Sequence, residues 1–261
     1  MGRRKFVGSA TLAAVGSLAA TASAGRQGEK EKGARQLLEW REYSTMSRDA
    51  AQALNGQLEA ALVPALNRLG LEPVGAFSPV FGSSSATVHL LIPHPSLDSV
   101  TTLHARLLDD EEFTANAGAL LQPNPDEAAY VRMKSSLMHA FETTPKIEVP
   151  PRKPRIFELR RYESHSIKAA KLKVEMFDEG EIDVFRKTGL TPVFFGETLV
   201  GDHMPNLVYM LTFEDMAQRD AAWARFVEHP DWKRMSALER YKGTVSNISD
   251  TILRPTSFSQ V

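Results

Sequence analysis

The sequence predicts an α+β protein made of two copies of one β-α-β-β-α-β module. Three observations predict it: short segments recur at a fixed offset of 119 residues, strand-like and helix-like periodicities follow the same order in each copy, and a proline-rich interval separates the copies. Leu37-Leu-Glu-Trp-Arg-Glu-Tyr43 aligns with Ile156-Phe-Glu-Leu-Arg-Arg-Tyr162. The same offset carries Gly70-Leu-Glu-Pro-Val74 onto Gly189-Leu-Thr-Pro-Val193, Val88–Ile92 onto Leu207–Leu211, and Glu112-Phe113 onto Asp231-Trp232. Only the last segment slips, where Met133–Met138 matches Ile248–Leu253 after a few residues are removed from the first copy.

In the first copy, Leu37–Tyr43 alternates as a strand, with Leu38 and Trp40 on one side and Glu39, Arg41 and Tyr43 on the other. Arg48–Leu69 places Leu54, Leu58, Leu62, Ala65 and Leu69 at helical spacing, with Pro64 as the point where the helix is expected to kink or split. Gly70 suits the position after that helix, where a left-handed backbone is easiest without a Cβ. Val74–Val80 and Thr87–Ile92 read as strands around a Gly82–Ser85 turn. Ser96–Leu108 reads as a helix, with a further turn over Glu111–Asn116, and Met133–Phe141 as the last strand. The second copy repeats this order: a strand over Phe157–Tyr162, a helix over Lys171–Lys187 ended by Gly189, a hairpin of Val193–Val200 and Leu207–Phe213, and an Asp215-capped helix to His229 with Ala222, Trp223, Phe226 and Val227 as its buried stripe. This is the ferredoxin-like plait. The organisation is therefore repeat 1 over 36–144, a stiff linker over 145–154 with four prolines, and repeat 2 over 155–256.

Residues 1–24 read as a signal peptide. Arg3-Arg4-Lys5-Phe6-Val7 resembles a twin-arginine motif, and Ala22-Ser23-Ala24 is a small-residue cleavage site. Residues 25–35 contain no large apolar side chain and read as a flexible spacer. The expected destination is periplasmic or secreted, with no transmembrane segment in the mature chain. Removing Arg3, Arg4 and Lys5 from the 31 basic residues leaves 28 against 32 acidic ones, a net of −4. Neither that balance nor any basic run with interleaved aromatics points to nucleic acid. With no cysteine there is no disulfide, thiolate metal site, cysteine nucleophile or lipoprotein anchor.

Phe157-Glu-Leu-Arg-Arg-Tyr162, Gly189-Leu-Thr-Pro-Val-Phe-Phe-Gly196, Leu207–Phe213 and His229-Pro-Asp-Trp232 resemble the NIPSNAP domain. The first copy is similar through Glu39, Arg41, Tyr43 and Gly70, with Phe113 in place of the tryptophan. The resemblance implies that the two ferredoxin-like βαββαβ repeats pair their sheets as an intrachain dimeric α/β-barrel. It implies no catalytic residue and no cofactor.

A plait covers one sheet face with helices and leaves the other for water or a second sheet. With Leu38, Trp40, Phe157 and Leu159 assigned to the helix side, Glu39, Arg41, Tyr43, Glu158, Arg160 and Tyr162 are expected to line a shared cavity, joined by the strand histidine His89. Two roles fit: ion pairs that fix sheet packing, or contacts to a small polar or planar ligand. His229-Pro-Asp-Trp232 reads as a helix stop, a cap and an apolar anchor. The seven histidines show no metal-ligand spacing, and no G-x-S-x-G, Walker loop or G-x-G-x-x-G occurs, so no metal and no cofactor is expected. Three functions follow: a binder of a small molecule or protein partner, a monooxygenase or haem-using enzyme with His89 as the one strand histidine that could serve it, or a structural module that assembles with itself.

Overall fold

The computed structural model describes residues 34–81, 86–122 and 124–261. The expected signal peptide, the spacer up to residue 33 and the Gly82–Ser85 turn lie outside the described residues. The described residues form eight strands: β1 (Leu37–Ser44), β2 (Gly75–Pro79), β3 (Thr87–His94), β4 (Arg132–Ala140), β5 (Ile156–Glu163), β6 (Thr191–Val200), β7 (Asn206–Phe213) and β8 (Asn247–Pro255). They close into one antiparallel barrel in the order β1-β3-β2-β8-β5-β7-β6-β4. Each copy supplies a four-stranded plait, and the plaits join edge to edge. Phe77 of β2 sits opposite Pro255 of β8, and Ala140 of β4 opposite Gly196 of β6. Closure leaves no strand edge unpaired. Among the described residues no helix is long and apolar enough to cross a membrane.

The helices follow from local chemistry. Ser47, Ser96, Ser166 and Asp215 each cap a helix by accepting a backbone N–H two or three residues into it. Gly70 and Gly189 close the long helix of each copy at φ of 76° and 87°, as the αL position after a helix requires. Pro64 does not split its helix. A π turn over Leu58–Leu62 widens the backbone just before it, which absorbs the missing N–H. The second copy has its π turn at the matching place, Phe177–Glu181, where Gly180 leaves helical dihedrals. His229 ends the Met216–Glu228 helix and caps the next, its Nδ1 accepting from Asp231 N–H, while Trp232 packs on Phe226 at 4.5 Å. On the Met216–Glu228 helix Ala222 and Phe226 are buried, whereas Val227 is exposed and belongs to the outer face.

Three apolar clusters result. One lies under the helices of the first copy and is aliphatic, built on Leu54, Leu58, Leu66, Leu90 and Leu103. Another lies under the helices of the second copy and is aromatic, built on Phe177, Phe185, Phe195, Tyr209 and Phe226. The third fills the barrel lumen and mixes both copies: Leu38, Trp40, Phe77, Leu91, Phe157, Phe194, Met210 and Leu253.

The lumen cluster corrects the expected sidedness of β1 and β5. Leu38, Trp40 and Phe157 point into the barrel with Leu159 packed against them, and Tyr43 and Tyr162 belong to the helix-side clusters. An eight-stranded barrel is just wide enough to be filled by side chains, so its interior demands the apolar set. The helix side accepts Glu and Arg because partners meet them there: Arg219 and Trp223 of a helix at Glu158, and Arg41, Ser135 and His94 of the strands at Glu39.

The barrel wall is tight at β4–β6. A Cβ placed on Gly196 would meet Met138 Cβ at 2.8 Å, a distance real Cβ atoms do not adopt. Gly196→Ala is therefore expected to lower stability by about 1–3 kcal/mol through overpacking, read as a drop in urea midpoint at unchanged m-value.

Candidate functional site in the barrel mouth

Of the seven residues expected in the cavity, only His89 lies there. Glu39, Arg41, Tyr43, Glu158, Arg160 and Tyr162 sit on the opposite face of their strands, beneath helices. Glu39 is buried and receives Arg41 (2.5 and 3.0 Å), Ser135 Oγ (2.6 Å) and a bond with His94 Nε2 (3.1 Å); His94 Nδ1 in turn meets Ser99 of the next helix at 3.1 Å. Burial alone would raise the Glu39 carboxyl, but the bonds with His94, Arg41 and Ser135 hold it down at about 2. Arg41 and Tyr43 border a separate helix-side groove with His104, Phe113 and Tyr130.

Glu158 is fully buried. It accepts from Arg160 (2.7 Å) and Arg219 (2.5 Å) on one oxygen and from the Trp223 indole N–H (2.8 Å) on the other. Arg160 lies 4.6 Å over the Trp223 ring. Tyr209 donates to Tyr162 at 3.0 Å, and burial raises both hydroxyls. These charges anchor helices to the sheet, which is why they pair on the helix side rather than across the lumen.

The lumen changes character along its axis. Beyond the apolar floor of Leu38, Phe77, Phe157 and Phe194 lies a cavity of about 170 Å³ toward the C-terminal ends of β1 and β5. Trp40, His89, Met138, Leu159 and Val208 form its walls, and Glu42, Ser136, Arg161, Thr198, Asn206, Ser249 and Thr251 supply polar groups. A vestibule of about 310 Å³ shares Trp40, Glu42, Ser136, Arg161 and Asp202, and adds Lys134 and His203 at the rim. Alternation puts these residues inside: Trp40 and Glu42 follow Leu38, and Leu159 and Arg161 follow Phe157, at steps of two.

His89 lines the cavity wall. It is only 5% exposed, stacks on Trp40 at 5.3 Å and 26°, and its Nε2 meets Thr87 Oγ1 at 3.3 Å. Its Nδ1 is buried with no hydrogen-bond partner, and the nearest carboxylate oxygen, on Glu42, is 3.9 Å away. Burial lowers the imidazole to about 4, so it is neutral at physiological pH. In the tautomer that carries its proton on Nε2 and donates it to Thr87, Nδ1 presents a free lone pair. At the mouth, Thr198 donates to Asn206 Oδ1, and the Asn206 amide donates to the Asp202 and His203 carbonyls. These bonds hold the β6–β7 turn where His203 adopts φ 60°, a conformation uncommon outside glycine.

Sequence reasoning missed Trp40, Glu42 and Arg161 as cavity residues. The offset of 119 carried the signal: Glu42 falls on Arg161, Trp40 on Leu159 and His89 on Val208. Positions that match in the duplication but differ in chemistry mark where the two copies have divided their labour.

The NIPSNAP family model matches the chain twice, over residues 38–145 and 157–260. No curated protein matches. Among solved structures, a proposed monooxygenase from Lactobacillus acidophilus aligns with a TM-score of 0.57 at 10% identity, covering 85% of this chain and 94% of that one. A proposed monooxygenase from Fusobacterium nucleatum gives 0.57 at 9%, with 85% and 93% covered. An uncharacterised NIPSNAP-like domain protein from Burkholderia xenovorans matches 41% of this chain and 89% of its own length at 22% identity, with a TM-score of 0.37. The first two likenesses are of fold: an α/β-barrel spanning both copies.

Proposed function

The chain belongs to the NIPSNAP family, and from that premise we propose that it binds a small planar molecule in the mouth of its barrel. The observation that carries this reading is His89: a neutral, buried imidazole whose free nitrogen lies beside a polar cavity and whose ring is braced on Trp40. A buried polar atom left unsatisfied costs about 1–3 kcal/mol, and a ligand hydroxyl or N–H would relieve that cost. An inner cavity of about 170 Å³ falls below the roughly 300–1,000 Å³ of pockets for drug-sized ligands. It therefore suits a molecule of one ring. The reading requires no cofactor.

The test is a fragment titration of the mature protein followed by NMR. Planar fragments are expected to shift the Trp40 indole and His89 imidazole resonances together, and His89→Phe to weaken binding at least tenfold. A screen in which no fragment moves either resonance removes the reading.

A second reading, oxygenation of a phenolic substrate, is favoured by the same imidazole. A neutral His89 Nδ1 is placed to accept a hydrogen bond from a phenol and so orient its ring for reaction with oxygen. The barrels of the Lactobacillus and Fusobacterium proteins described as monooxygenases share this architecture. Oxygen-electrode assays with phenols and hydroquinones decide it: steady O₂ uptake that is lost in His89→Phe supports the enzyme, and uptake no faster than in buffer removes it.

A further inference from the structure

Among the described residues the other buried or half-buried arginines are all answered: Arg41, Arg160 and Arg219 by carboxylates, Arg35 by the His139 ring, and Arg106 and Arg155 by backbone carbonyls. Arg161 differs. It is half-buried and lines both the inner cavity and the vestibule, yet among the described residues its guanidinium makes no hydrogen bond or ion pair. The acids of the mouth do not answer it. Asp202 faces Lys134 at 3.9 Å, and Glu42 faces His89 at 3.9 Å. Leaving a guanidinium partly desolvated and unpaired is costly, and Arg is the side chain best shaped to grip a carboxylate in two places.

The duplication sharpens the point. A barrel of two identical copies would present the same group twice across its mouth. Here the matching positions carry Glu42 and Arg161, and Trp40 and His89 are answered by Leu159 and Val208. One wall thus offers an aromatic face with a neutral nitrogen, and the other a cation over aliphatic surface. Such a site has a direction, and so must its occupant.

We propose that Arg161 is the anion-binding residue of the cavity, and that the occupant is a single-ring aromatic carboxylate held with its carboxylate on Arg161 and its ring toward Trp40 and His89. This rests on the reading of the barrel mouth as a ligand site. The ring satisfies the apolar part of the wall, and the carboxylate supplies the acceptor that Arg161 lacks. Glu42, on the opposite copy, disfavours an occupant with a second negative charge at its far end and favours a donor such as a hydroxyl there.

The test is calorimetric titration of the mature protein with benzoate and with benzamide, its neutral isostere, in wild type, Arg161→Gln and Arg161→Lys, with circular dichroism to confirm folding. Benzoate is expected to bind wild type at least tenfold tighter than benzamide. Arg161→Gln is expected to abolish that preference while leaving benzamide binding within about twofold. Arg161→Lys should retain part of it, since it keeps the charge and loses the fork. Equal binding of the two probes, or an undiminished preference in Arg161→Gln, overturns the proposal and leaves the cavity reading standing. If neither probe binds while other planar fragments still shift Trp40 and His89, the aromatic carboxylate class is wrong. If no fragment binds at all, the ligand site falls with it.

Discussion

Replacing Glu158 with Gln is expected to destabilise the protein by about 3–5 kcal/mol, the usual cost of breaking a buried ion pair from one side. Glu158 is a fully buried hub that accepts from Arg160 of its own strand and from Arg219 and the Trp223 indole, so it ties β5 to the Met216–Glu228 helix through two donors. Gln keeps the size but turns one acceptor into a donor aimed at partners that only donate. Arg160 and Arg219 then lose the charge that compensates their desolvation. The effect is measured by urea unfolding of wild type and variant at pH 7. Removing the whole cluster, as Glu158→Leu with Arg160→Met and Arg219→Leu, should recover most of the loss, because no buried charge is then left unanswered. A loss under 1 kcal/mol in Glu158→Gln would show that the hub is solvated in solution.

The second large effect is a dependence of stability on pH that originates at His89. Its folded-state imidazole is lowered to about 4 by burial, against 6.5 for the free side chain. The unfolded chain therefore takes up a proton near pH 6.5, which the folded chain refuses until about 4. The sign follows: the contribution is fully present above pH 6.5 and is lost as pH falls toward 4, by about 3 kcal/mol in total at 1.36 kcal/mol per unit. Glu39 acts in a lower window, since its folded value of about 2 lies beneath its ordinary 4.5. Between pH 6.5 and 5 the histidines thus dominate. His139, lowered by burial and by Arg35, contributes in the same direction. Unfolding midpoints measured across that interval should fall in wild type and flatten in His89→Gln, with the residual slope belonging to His139. An unchanged slope in His89→Gln would mean that water reaches the imidazole.

The architecture was legible because duplication repeats its punctuation. Gly70 and Gly189 end matching helices, and the strand pairs fall at one offset, so the β-α-β-β-α-β order survives even where the first copy is aliphatic and the second aromatic. Which face of β1 and β5 turned inward was not legible. Leu38-Glu39-Trp40-Arg41 alternates apolar and charged residues, and alternation fixes the period of a strand but not its orientation. Both faces of these strands are buried, so the usual assignment of apolar to core had two cores to choose from. Partners decided it, and they come from far along the chain: Arg219 and Trp223 for Glu158, His94 and Ser135 for Glu39. His89 was legible as a strand histidine beside Val208 in the second copy, but its free nitrogen depends on the packing of Trp40 over it.

The way the barrel shuts has a consequence during synthesis. Val74, just before β2, is bonded to Gln260, 186 residues further along the chain, and β2 itself rests on β8. A nascent chain that has completed only its first copy is a sheet with two bare margins; β4 gains a partner when β6 emerges, but β2 has none on its outer side until β8, the final strand, leaves the ribosome. Non-local pairing of this kind is slow to form and exposed to misassembly. The first half, produced by itself, would be driven to supply the missing wall from another molecule.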